Sequence, residues 1–159
     1  MASPIEQSSH EDRKSELRAV AEKARARFTE THGVRERALR MCREVVRGSA
    51  NSIRATHRGE LDEARKLLDQ VSTIVTEMEE LLADHPGVYY AGYVEDAQKE
   101  YVEASATLSF VVGAELSGLD ELGVGPAPYL NGLAEAVGEM RRSILDSLRR
   151  GEFGRCEEL

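Results

Sequence analysis

The segment LDEARKLLDQVSTIVTEMEELL, residues 61–82, decides the fold. Its apolar residues Leu61, Ala64, Leu68, Val71, Val75, Met78 and Leu82 alternate steps of three and four. That is a heptad seam along one helix face, and a seam this long needs a long antiparallel partner. Gly59 precedes it and His85-Pro86-Gly87 follows it, residues that stop helices. The expected class is all-α: an antiparallel bundle of long helices with no β-sheet.

Toward the N-terminus, a helix is expected from Val34 to Arg58, with Leu39, Cys42, Val46, Ser49 and Ile53 inward. His32-Gly33 is expected to break it from a charged helix over Glu11 to Thr31, whose apolar residues are Leu17, Val20, Ala21, Ala24 and Phe28. Residues 1–10 read as a polar tail. Toward the C-terminus, a fourth helix is expected from Val88 to Leu116, with Val94, Ala97, Tyr101, Ala104 and Leu108 on its seam. A Gly- and Pro-rich loop, 117–126, leads to a fifth helix over Leu130 to Leu148. Leu130, Leu133, Val137, Met140, Ile144 and Leu148 are expected inward, and Gly151 closes the helix. Residues 153–159 look like the start of another helix. The domain therefore reads as one unit over 11–159 that stops before its last helix. No run alternates with period two, and no hairpin turn joins strand-like runs.

The chain has 159 residues, enough for one core without disulfides or structural metal. Hydrophobic residues make up 41% and charged residues 31%, which argues against disorder. No apolar run is long enough for a transmembrane helix, and the N-terminus has no apolar signal core, so a cytoplasmic setting is expected. Cys42 falls on an apolar stripe and reads as an inert core thiol; Cys156 has no partner at a metal-binding spacing. The net charge of −8 is uneven: the first 70 residues carry +3 and the remainder −11. An acidic chain does not attract nucleic acid as a whole, but one helix can still present a basic strip.

Two constellations bear on chemistry. Glu100 and Glu103 share one face of the fourth helix, one turn beyond Asp96, and Glu135 and Glu139 share one face of the fifth. If those helices pack side by side, the carboxylates converge into an oxygen-only site suited to Mg²⁺ or Mn²⁺. A di-iron bundle site needs Glu-x-x-His pairs, and none of the four histidines follows a glutamate at that spacing. The alternative is that these are solvated helix-face carboxylates. Gly138 is expected to let a second backbone approach beside Glu139. The other constellation is the row Arg40, Arg43, Arg47, Arg54 and Arg58 on one side of one helix, with His57 near its end. It can track phosphates, since guanidinium presents a planar fork to phosphate oxygens. It can equally be a surface face balanced by Glu36 and Glu44. Tyr89, Tyr90 and Tyr93 follow a Pro-Gly break, where packing and capping are the default roles.

The motif Gln98-Lys99-Glu100-Tyr101-Val102-Glu103-Ala104 and the segment from Leu130 to Arg142 with its closing Gly151-Glu152 resemble the translin superfamily. The likeness is nearer to the translin-associated factor X branch, in an archaeal-type form, and runs from about residue 34 to the end. That resemblance implies a Mg²⁺-dependent endoribonuclease acting on single-stranded or small processed RNA within a homo- or hetero-oligomer. It makes Glu103 and Glu139 metal ligands and Glu100 a catalytic carboxylate, and it puts Glu135 where the branch has Asp. The basic strip that translin carries after its tyrosine pair is replaced by Ala91-Gly92-Tyr93-Val94-Glu95-Asp96. Nucleic-acid contacts then fall to the arginine helix. A non-catalytic subunit that binds RNA or single-stranded DNA, and a purely structural helical partner, are the competing expectations.

Overall fold

A computed structural model describes the backbone of residues 4–156 and the side chains of residues 11–154. Among the described residues seven helices follow one another: α1 (Pro4–His57), α2 (Leu61–Leu82), α3 (Pro86–Tyr89), α4 (Gly92–Val112), α5 (Leu119–Leu122), α6 (Pro126–Arg150) and α7 (Phe153–Cys156). The described residues contain no strand, as the period analysis expected.

The heptad segment forms α2 as anticipated. Ala64, Val71, Val75, Met78 and Leu82 are buried along one face. Val71, Val75, Met78 and Leu82 pack with Ala38, Cys42 and Val45 of α1 and with Val94, Ala97, Tyr101 and Val102 of α4 in the main core, while Ala64 joins Ala55 and Leu108 in a smaller cluster. Gly48 of α1 is close enough to α2 that an added Cβ would meet Val71 Cγ2 at 2.5 Å. Cys42 lies in this core 3.5 Å from the Met78 sulfur, and burial pushes its thiol up to about 11, so it is unreactive at neutral pH.

Helix α1 departs from expectation. It runs unbroken through His32-Gly33 for 54 residues, about 80 Å at the α-helical rise. Gly33 does not take the left-handed backbone that ends helices. One glycine costs a helix only about 1 kcal/mol relative to alanine, and the Ala-, Arg- and Glu-rich stretches further out on both sides favour helix. The helix also begins at Pro4, so residues 4–10 are helical where a tail was expected; residues 1–3 lie outside the described residues. The half of α1 before Val34 packs on nothing described, and Leu17, Val20 and Phe28 are exposed.

At the other end of the core, α4 stops at Val112, one turn before the expected Leu116. Gly113 takes φ +68°, and the Ala114 amide donates to the Ser109 carbonyl, closing the helix in a Schellman-like turn. The face of α6 also differs from the large-residue stripe. Leu130 is 65% exposed and Val137 64%, while Pro128, Gly132, Ala136, Met140 and Ser147 are buried. Small residues face inward because α6 lies unusually close to α4.

Candidate metal and nucleic-acid site

Gly132 governs that closeness. A Cβ there would fall 2.6 Å from the Lys99 carbonyl oxygen and 2.6 Å from Val102 Cβ. No side chain fits between the two backbones. Gly138, expected to play this part, is exposed with nothing within 4 Å of an added Cβ. Glu135 and Glu139 lie three and seven residues beyond Gly132, on the flank of α6 beside α4.

Three of the four sequence-derived carboxylates come together. Oxygens of Glu100, Glu103 and Glu135 all lie within 4.8 Å of one another. Glu139 is not in that trio. Its carboxylate bonds to Nε2 of His57, at the end of α1, and lies 3.7 Å from the Arg142 guanidinium. Glu103 thus stands with Glu100 and Glu135, and Glu139, expected to be its fellow ligand, lies beside them. Its charge still reaches Glu103.

Two residues of this site were not assigned a role from sequence. Lys99 donates to Glu135 at 2.8 Å and lies 3.5 Å from Glu100. It sits inside the quoted motif, but helical spacing alone does not show that it crosses to α6. His57 was visible only as the end of the arginine row; its link to Glu139, 82 residues away, depends on tertiary packing.

Glu103 is the electrostatic centre. Burial pushes its carboxyl up to about 7, the charges of Glu100, Glu135 and Glu139 add to the rise, and Lys99 opposes it. Crowded carboxylates with this repulsion are what a hard divalent cation relieves, and the donor set is all oxygen. The residues therefore fit Mg²⁺ or Mn²⁺.

The arginine row stands on the exposed side of α1. Arg40, Arg43, Arg47 and Arg54 are all exposed. Among the described residues, none of the ion pairs within 4 Å involves Arg40, Arg43, Arg47 or Arg54, so the expected balance by Glu36 and Glu44 is not formed. Arg54 donates to Asn51 Oδ1 at 2.6 Å. Arg58 differs: it lies beyond the end of α1 and pairs with Glu60, which draws it off the row. Tyr89 and Tyr93 pack against the core, whereas Tyr90 is exposed and meets Tyr89 edge to face at 5.1 Å; Gln98 donates to the Tyr89 hydroxyl at 3.4 Å.

An all-helical domain with a carboxylate trio seated between two closely packed helices is the class these features define. No sequence-family profile matches the chain. An uncharacterized protein of Methanocaldococcus jannaschii is 29% identical over 126 residues, covering 78% of this chain. The chain spans 55% of the length of that curated relative. The crystal structure of an Archaeoglobus C3PO superposes with a TM-score of 0.80 at 35% identity, covering 87% of this chain and 71% of that one. The same protein in complex with duplex RNA gives 0.79 at 35% identity over the same shares. Nematostella C3PO without ligand shares the fold, with a TM-score of 0.76 at 21% identity over 82% of this chain and 69% of that one. The chain belongs to the C3PO family of the translin superfamily. No described helix is long and apolar enough to cross a membrane.

Proposed function

We propose that the chain is a metal-dependent endoribonuclease of the catalytic translin-like branch, acting on single-stranded or small processed RNA within a helical oligomer. The observation that carries this reading is Glu103 held between Glu100 and Glu135 with its carboxyl raised to about 7. The complex of the Archaeoglobus relative with duplex RNA supports RNA as the polymer bound. Glu100, Glu103 and Glu135 would hold Mg²⁺, which when bound supplies Lewis acidity and charge neutralisation toward a phosphodiester. The residues supply the rest. Binding the cation would displace the proton that Glu103 otherwise holds to about pH 7, and a trio oxygen left free of the cation would accept the proton of the attacking water. The His57 contact holds the Glu139 carboxylate against α1 and away from the trio. Arg40, Arg43, Arg47 and Arg54 attract the RNA backbone through its phosphates.

The test is cleavage of end-labelled single-stranded RNA with Mg²⁺, with EDTA, and with Glu103→Gln. Cleavage is expected only for the unmodified protein with Mg²⁺, and Glu103→Gln is expected to lose at least about a hundredfold. One observation favours a non-catalytic RNA- or single-stranded-DNA-binding subunit: the Lys99 ammonium already neutralises part of the trio. Retained binding with intact RNA in every lane would establish that reading instead.

A further inference from the structure

A groove of about 560 Å³ runs between α1 and the start of α4. Its two walls differ in chemistry. Arg43, Arg47 and Arg54 rise from α1, and none of them has an acidic partner within 4 Å among the described residues. Tyr93 and Asp96 form the α4 wall. Val46 and Ala50 lie between, and Val46 is 38% exposed although apolar. The Tyr93 hydroxyl is buried, with the Arg35 guanidinium near it.

Both helices that wall the groove run on to the carboxylate site. On α4, Asp96, Glu100 and Glu103 follow at i, i+4 and i+7, so the trio begins one turn beyond Asp96, about 6 Å along the helix. On α1, His57 lies one turn beyond Arg54 and bonds to Glu139. A strand lying in the groove therefore leads to the trio.

We infer that this groove is a nucleotide subsite that takes one unpaired base over Val46 and Ala50, with the phosphates held along the α1 wall. The inference rests on the RNA-binding reading above and deepens it. Charge complementarity selects the occupant. Three unpaired guanidiniums call for an anion, yet Asp96 repels phosphate from the opposite wall. A nucleotide satisfies both walls: its phosphate faces α1, and an exocyclic amine of its base can donate to Asp96. The flat base has apolar faces for the floor, and the Tyr93 ring and the guanidinium planes offer stacking surfaces. A duplex keeps its bases stacked inside and cannot fill the floor.

The experiment compares two labelled strands of equal length in EDTA by fluorescence anisotropy: oligoadenylate and an abasic ribose-phosphate strand. The intact strand is expected to bind about tenfold more tightly. Ala50→Leu, which fills the floor, and Val46→Asn, which wets it, should each abolish that preference and leave abasic binding unchanged. Equal binding of the two strands to the unmodified protein overturns the subsite and leaves the RNA-binding reading standing. A preference that survives both folded variants also overturns it, because the base then sits elsewhere. If neither strand binds, the RNA-binding reading itself falls. If one variant fails to fold, the other still locates the base, and equal binding of the two strands to the unmodified protein overturns the subsite without either.

Discussion

The carboxylate trio and the arginine row are built on opposite plans. The row needs only one helix: its spacing along α1 places the guanidiniums on one side whatever α1 packs against. The trio needs two helices in register, and that register depends on Gly132 meeting the Lys99 carbonyl across the α4–α6 contact. The row is exposed and unpaired, so each arginine acts almost independently and is screened by salt. The trio is half-buried and coupled, so a change at one member moves the others. Binding and chemistry should therefore be separable by mutation, and damage to α4–α6 packing should reach only one of them.

Gly132→Ala is the largest test of that separation. An added methyl has no room against Lys99 and Val102, and overpacking of this kind costs about 1–3 kcal/mol. Thermal denaturation should fall by roughly 3–10 °C. Cleavage should fall at least about tenfold as Glu135 is displaced from Glu103, while RNA binding in EDTA stays within about twofold at a temperature where the variant is folded. Gly138→Ala is the control: it sits in open space in the middle of α6 and should stabilise the protein by about 0.5–1 kcal/mol. A loss of RNA affinity in Gly132→Ala equal to its loss of cleavage would show that the two regions are one unit.

The arginine row predicts a smaller effect of a different kind. Replacing Arg43 and Arg47 together with Gln should weaken RNA binding about tenfold at moderate salt. The slope of log affinity against log salt should shrink by about 2, one for each lost phosphate contact. Arg58→Gln should change little, because that guanidinium is already engaged with Glu60. An unchanged salt slope in the double variant would remove the row from the binding surface.

The contrast also explains what could be read in advance. The all-helical class was legible because the α2 seam repeats over three heptads, and any such seam must be covered. The arginine row was legible for the reason given above. The glutamate motif was legible as residue types on two helices, but its partners were not. Lys99 and His57 join the site through contacts 36 and 82 residues away in sequence, which no local period encodes. The α6 stripe misled because large apolar residues normally mark the inner face, whereas here close helix approach puts small ones inside. Gly33 misled because a glycine signals a break only where the chain has reason to turn.

The smallest expected effect is also the most diagnostic of a coupled site, and it concerns Lys99. Glu103 in the folded protein holds its proton up to about pH 7, against an ordinary carboxylate value of 4.5. The folded state therefore binds that proton more tightly than the unfolded chain does. Its contribution favours folding less as pH rises from about 4.5 through 7, and the protein should be less stable at pH 8 than at pH 6 from this group alone. Lys99 opposes the shift, so Lys99→Met should move the Glu103 midpoint upward and deepen the loss at pH 8 by a few degrees in melting temperature. It also frees the Glu135 oxygen that the ammonium occupies. A divalent cation that binds the trio should then raise the melting temperature of Lys99→Met at pH 8 more than that of the unmodified protein, by about 2–4 °C at saturating Mg²⁺. Equal protection of both proteins would mean that the lysine does not compete with the cation. Absent protection of both would mean that the trio holds no divalent cation. The two regions would then differ in geometry but not in kind, both being charged surfaces for binding alone.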